Sequence, residues 1–185
     1  MNRWHLKCAA RVIRQGGIVA YPTESVYGLG CDPNNISAIL DLLSIKKRPV
    51  AKGLILIAAD LRHLQPYMIK LGKTILDRML KTWPGPVTWL IPAHPNVPAW
   101  LCGEHGTIAV RITAHPLAAA LCATIDGALV STSANYHRQP AARTALQVHQ
   151  IFGAKIDYIL TGGVGGLRRP TEIRDVLTNQ VIRPA

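Results

Sequence analysis

The sequence predicts an α/β domain in which a sheet of short apolar strands packs against flanking helices. Three observations carry this. Short β-branched runs such as residues 18–21 and 54–59 alternate with stretches whose apolar residues recur at helical spacing. Hydrophobic residues make up 49% of the chain but include a single Phe beside four Trp and five Tyr, so Leu, Ile, Val and Ala must build the core. At 185 residues the chain can bury such a core without disulfide or metal staples, and no repeat or long linker divides it. One domain over residues 1–185 is expected.

Along the chain, residues 4–15 place Leu6, Ala9, Ala10 and Ile13 on one helical stripe that stops at Gly16-Gly17. Residues 18–21 then read as a strand closed by Pro22, leaving Thr23 to Tyr27 as the loop at its carboxyl end. Asn34 or Asn35 can cap a second helix with an Ile36, Ile39, Leu40, Leu43 stripe, ending near Lys46-Lys47-Arg48-Pro49. Residues 54–59 read as a strand buried on both faces, Asp60 opens a helical stretch, and Ile75, Leu76, Met79 and Leu80 mark a further helix broken by Trp83-Pro84-Gly85-Pro86. Strands are expected at residues 87–91 and 107–112, separated by a Pro-rich surface loop at 92–98. His115-Pro116 opens an Ala-rich helix, residues 128–131 form the next strand, and residues 144–152 a helix. A strand at 156–160, a glycine loop at 162–166 and a hairpin turning at Thr178-Asn179 complete the chain.

Lys and Arg total 21 against 10 Asp and Glu, a formal charge of +11, which favours anionic partners such as nucleotide phosphates, nucleic acid or an acidic membrane surface. The basic residues form no run of five or six, so the alternative to a binding site is a solvated basic face rather than a disordered tail. No apolar stretch is long enough to span a bilayer and none resembles a signal segment, so a cytoplasmic protein with no membrane partner is expected. Cys8, Cys31, Cys102 and Cys122 lack CxxC spacing and read as free thiols. No HExxH, paired-His or EF-hand pattern occurs, so no protein-held metal is expected.

The usual nucleotide signatures are missing as well. Gly162 to Gly166 lacks the Gly-Lys-Ser/Thr of a P-loop, and Gly28-Leu29-Gly30 lacks a third Rossmann glycine. The glycine loop is either a plain turn or a cover for a ligand. Two hydroxyl-rich loops following apolar strands say more: Tyr21-Pro22-Thr23-Glu24-Ser25-Val26-Tyr27-Gly28-Leu29-Gly30 and Val130-Ser131-Thr132-Ser133-Ala134-Asn135. Hydroxyls and backbone N–H groups at strand ends suit phosphate oxygens or a small polar substrate. Together with Lys46-Lys47-Arg48, Ala109-Val110-Arg111 and Arg168-Arg169-Pro170-Thr171 they form a candidate site.

These segments, with Trp83-Pro84-Gly85-Pro86-Val87-Thr88 and Gly162-Gly163, occur in the order found in YrdC/TsaC-type threonylcarbamoyl-AMP synthases, and the chain resembles their short form from about Ile18 to Arg183. The resemblance implies a twisted, open mixed sheet with flanking helices around a basic concave cavity. It implies condensation of L-threonine, bicarbonate and ATP to threonylcarbamoyl-AMP and pyrophosphate, for threonylcarbamoyladenosine modification of tRNA by a partner transfer complex, with tRNA contact possible. By matched position, Thr23, Arg111, Ser131 and Thr171 correspond to threonine contacts. Arg48, Lys52, Thr107, Ser133, Asn135 and Arg183 correspond to ATP contacts, and Lys46 and Arg48 are the expected catalytic pair. Mg²⁺ is expected with ATP, held by phosphates and water rather than by a protein cage. Ser25 and Thr171 exchange one hydroxyl residue for another relative to the usual pattern, and His137-Arg138 replaces a Ser-Gly pair, which would stiffen that loop. Two other functions fit parts of the pattern. A non-catalytic binder of structured RNA would need only the charge. Carbamoyl transfer in metal-centre maturation would need further domains.

Overall fold

The protein's computed structural model describes residues 3–136 and 139–185. In chain order the elements are α1 (Arg3–Arg14), β1 (Val19–Pro22), β2 (Tyr27–Gly30), α2 (Ile36–Lys46), β3 (Ile55–Ala58), α3 (Lys73–Leu80), β4 (Val87–Pro92) and α4 (Ala99–Cys102). They continue with β5 (Thr107–Ile112), α5 (Pro116–Ile125), β6 (Leu129–Ser133), α6 (Ala145–Phe152), β7 (Tyr158–Ile159), β8 (Glu172–Asp175) and β9 (Val181–Arg183). The strands form one open mixed sheet in the order β7-β1-β2-β6-β3-β5-β4-β8-β9, as the resemblance implied. Pairs β1/β7, β3/β5 and β4/β8 are parallel and the others antiparallel.

Strand alternation feeds two apolar layers. Ala20, Leu56 and Ala58 point into a cluster with Ile39, Leu42, Trp89 and Phe152, whereas Val19, Tyr21 and Ile57 point into one with Leu6, Ala9, Ile13 and Leu121. The second layer is where α1 packs against α5. Period-2 alternation with both sides apolar is what a strand buried on both faces requires. No helix among the described residues is long and apolar enough to cross a membrane.

Side chains cap several of the helix starts. Asn35 Oδ1 accepts from Ala38 N at 3.0 Å to start α2, Asp60 accepts from Arg62 N to start a 3₁₀ turn, and Thr144 caps α6. Differences from expectation have physical causes. Residues 27–30, expected as loop, form β2, whose glycines are there because neighbours come close. A Cβ on Gly30 would lie 2.1 Å from Val130 O, and one on Gly28 would lie 3.3 Å from Thr23 Cγ2. In α2 the buried face is Ala38, Ile39, Leu42, Leu43 and Lys46, leaving Ile36 and Leu40 at 46% and 48% exposure. The rotation turns Lys46 inward to the sheet, so a site residue shares the face that the apolar stripe alone would have claimed. In α3 only Met79 is buried and Leu80 is exposed. The loop expected at 92–98 is followed by the short α4, for which no element was expected, and the strand expected at 156–160 is shortened to β7.

Candidate functional site

Glu24 lies just beyond β1 and Arg111 on β5, with β2, β6 and β3 between those strands. In a flat sheet four such steps span roughly 19 Å. Yet Glu24 Oε2 lies 3.2 Å from Arg111 Nη2, so the sheet curls and the β1–β2 loop returns over its concave face. A cavity of about 320 Å³ sits there, and a second of about 160 Å³ adjoins it, sharing Arg48, Thr132, Ser133 and Asn135 in its wall. The two make one groove with chemically distinct ends.

The inner end is built on Arg111, which is 4% exposed. Its Nη1 donates to the hydroxyls of Thr88 at 3.1 Å and Thr171 at 3.0 Å, while Nη2 faces Glu24. Glu24 Oε1 in turn accepts from the Thr113 hydroxyl at 2.7 Å and from Ala114 N at 3.3 Å. Burial pushes the Glu24 carboxyl upward, but the Arg111 guanidinium and the Thr113 hydroxyl outweigh it and hold the group below the usual carboxylate range. Arg111 Nε is buried and has no hydrogen-bond partner among the described residues. A guanidinium with a donor to spare, fixed in a cavity wall, suits a carboxylate. Arg183 Nη2 donates to Thr171 O at 2.6 Å and adds a second guanidinium nearby.

The outer end gathers Lys46, Lys47, Arg48 and Lys52. Lys46 Nζ donates to Ser133 O, to Asn135 O at 2.7 Å and to Asn135 Oδ1 at 3.3 Å, so its three N–H bonds pin the loop that follows β6. The Ser133 hydroxyl bonds Asn135 Oδ1 at 2.7 Å and fixes the same loop from within. Arg48 donates from Nε and Nη2 to Gly53 O at 3.2 and 3.0 Å, which aims its guanidinium along the shared wall. Burial and the neighbouring Arg48 push the Lys46 ammonium down to about 8. Lys46 is therefore mostly charged at neutral pH and loses its proton as the pH rises through about 8. ATP affinity, measured by calorimetry, is expected to weaken between about pH 7 and pH 9, and Lys46→Arg is expected to flatten that limb.

The glycine loop proves to be a brace. Gly165 N donates to Thr23 O and Leu167 N to Glu24 O, while Tyr27 OH both donates to Gly162 O and accepts from Gly162 N. His115 Nε2 donates to Gly163 O, and Nδ1 accepts from Ala118 N at the start of α5. The glycines permit this contact, since a Cβ on Gly165 would lie 2.5 Å from Glu24 O. Gly165→Ala is expected to lower stability by about 1–3 kcal/mol and to weaken amino-acid binding, read by thermal melting and calorimetry.

Of the residues expected from sequence, Thr23, Arg111, Ser131 and Thr171 line the first cavity, with Arg48, Ser133, Asn135 and Arg183. Lys46 and Lys52 line the second. Thr107 lies apart: it opens β5 opposite Pro92, four positions and roughly 13 Å along the strand from Arg111, outside both cavity walls. The Thr23 hydroxyl donates to Val26 O at 2.7 Å and so shapes the loop. His137 and Arg138 lie outside the described residues. Sequence reasoning quoted Glu24 and Thr88 within their motifs without giving them a role, and it did not reach Thr113. The signal for Glu24 was present, as one of only ten acidic residues placed inside a hydroxyl-rich loop.

Comparison with known proteins agrees with this geometry. The Sua5/YciO/YrdC family model, described as "Telomere recombination", matches residues 11–185. The chain is 54% identical over 180 residues to a threonylcarbamoyl-AMP synthase of Nitrosococcus oceani, covering 97% of each chain. It is 51% identical over 185 residues to one of Pseudomonas aeruginosa, covering all of both. Among solved structures, P. abyssi Sua5 complexed with L-threonine superposes with a TM-score of 0.92 at 31% identity, over 100% of this chain and 55% of that one. This chain thus spans about half of that protein's length. E. coli YciO superposes at 0.87 with 26% identity, over 98% of this chain and 89% of the other. The fold, the two-ended groove and these matches over nearly the whole sequence agree, and the chain belongs to the Sua5/YciO/YrdC family.

Proposed function

We propose that the protein is a threonylcarbamoyl-AMP synthase, a nucleotidyltransferase that joins L-threonine, bicarbonate and ATP and releases pyrophosphate, in service of threonylcarbamoyladenosine formation on tRNA. One observation carries the reading. A single groove holds a buried guanidinium suited to an amino-acid carboxylate at one end and a cluster of four cations suited to a triphosphate at the other. Relatives of the same length bear that name, and a solved structural neighbour was complexed with L-threonine.

The chemistry follows from the charges. The threonine amine and bicarbonate give a carbamate and water. A carbamate oxygen then attacks the α-phosphorus of ATP, and pyrophosphate leaves. Two anions must meet, so cations lining the meeting point lower the barrier more than a general base would. Arg111, Thr171, Thr23 and Ser131 would seat the amino acid. Arg48, Lys52, Ser133 and Asn135 would seat the nucleotide, with Lys46 holding their loop and adding charge. Arg183 joins the two groups from the rim. The walls offer hydroxyl and amide oxygens but no carboxylate, so Mg²⁺ would arrive on the phosphates and offset their charge there. A tRNA-modifying transfer complex would take the product in the cytoplasm.

The test incubates the protein with ATP, Mg²⁺, bicarbonate and threonine, omitting each in turn. Threonylcarbamoyl-AMP by mass spectrometry and pyrophosphate release are expected only in the complete mixture. Absence of both, with RNA affinity that falls steeply with salt, would favour a non-catalytic RNA binder.

A further inference from the structure

The residues lining the two cavities include Lys46, Lys47, Arg48, Lys52, Arg111 and Arg183, and none is acidic. Such a groove attracts anions but has no means of choosing between them. At equal distance a polyphosphate is drawn to a guanidinium more strongly than a monocarboxylate is, because the attraction scales with charge. ATP or pyrophosphate could then occupy the amino-acid end and block it.

Among the described residues Glu24 is the carboxylate that hydrogen-bonds this cationic wall, and it does so at one end only. It is 7% exposed and pairs with Arg111 at 3.2 Å, and its second oxygen is fixed by Thr113 and Ala114 N. Its backbone carbonyl accepts from Leu167 N, which fixes the main chain from which the side chain projects. The outer end keeps four cations with no carboxylate in its wall. At the inner end Glu24 offsets Arg111 and leaves Arg183, with Arg48 of the shared wall, as the uncompensated charges.

We propose that Glu24 determines specificity by sorting the two anionic substrates along the groove. It lets Arg111 bind a carboxylate through directional hydrogen bonds while denying the inner end the excess charge that would hold a polyphosphate. This rests on the synthase reading and deepens it, since that reading assigns Glu24 no part in selection.

The test is calorimetry with inorganic pyrophosphate and L-threonine. Wild-type protein is expected to bind one pyrophosphate, with threonine affinity altered less than about twofold at saturating pyrophosphate. Glu24→Gln keeps the shape but not the charge. It is expected to bind a second pyrophosphate that threonine displaces, raising the apparent threonine Kd roughly tenfold or more when pyrophosphate is present. Glu24→Asp keeps the charge and should retain a single pyrophosphate site, which separates charge from packing. A single site in Glu24→Gln, with threonine undisturbed, overturns the proposal. So does displacement of threonine by pyrophosphate in the wild type, a measurement that needs no variant to fold. Wild-type protein that binds no threonine at all would overturn the synthase reading, and this inference with it.

Discussion

Arg111→Ala is expected to lower kcat/KM for threonine by a factor of roughly a thousand or more and to destabilise the protein by about 3–5 kcal/mol. Both effects come from one side chain. The guanidinium ties the Thr88 and Thr171 hydroxyls to Glu24 and, on the proposed reading, would supply the donor for a substrate carboxylate. Removing it leaves Glu24 buried with only Thr113 and Ala114 N beside its carboxylate. For a chain of this size that loss corresponds to a fall in Tm of roughly 6–20 °C. The pH dependence gives a second check. In the wild type the Glu24 carboxyl is held below its usual value, so the stability it contributes is present at neutral pH and lost as the pH falls through its lowered pKa. In the variant burial acts unopposed by Arg111 and pushes the carboxyl up, so its penalty is greatest at neutral pH and fades on protonation. The difference in Tm between wild type and variant should therefore shrink from about pH 7 to about pH 4. Arg111→Lys is expected to recover much of the stability but little activity, because an ammonium cannot satisfy the two hydroxyls and a carboxylate with the same planar fork.

Lys46→Ala should act at the opposite end. It removes the three hydrogen bonds that hold Ser133 and Asn135 in place, along with one of the four cations of the second cavity. A fall of roughly 10²–10³ in pyrophosphate release is expected, with a raised KM for ATP and threonine affinity near wild type, since Lys46 does not line the inner cavity. Stability should fall by only about 1–3 kcal/mol, because the freed carbonyls belong to residues that line an open groove. Arg48→Ala is expected to damage catalysis in the same way while the fold survives. A selective effect on ATP is the signature to seek, and equal losses for both substrates would argue that the loop merely unfolds.

Much of this architecture was legible in the residues. The strands at 107–112 and 87–91, the cap Asn35, the helix near 144–152 and the opening of α5 at His115-Pro116 follow from local patterns that tertiary packing does not override. Tyr27-Gly28-Leu29-Gly30 was misread because glycine usually signals a turn, and only the approach of Val130 O reveals why a strand needs it. The face of α2 was misread because Ile36 and Leu40 compete with Lys46 for burial, and the groove decides in favour of the lysine. Within the site, residues that bear charge or hydroxyls on matched motifs could be named, and the groove brings most of them together. Which of them touch could not be named, since the Glu24–Arg111 pair spans 87 positions and depends on how far the sheet curls. Thr107 shows the limit of matching by position, because strand alternation puts it on Arg111's face while distance along the strand puts it outside the cavity.

The most direct measurement is a crystal structure of the protein with L-threonine and an ATP analogue that cannot be cleaved between its α- and β-phosphorus atoms. The expected result has the threonine carboxylate hydrogen-bonded to Arg111, the triphosphate against Arg48, Lys52 and Ser133, and the amino group facing the α-phosphorus with room for one carbamate between them. Threonine seated away from Arg111, or both anions at the same end of the groove, would contradict it.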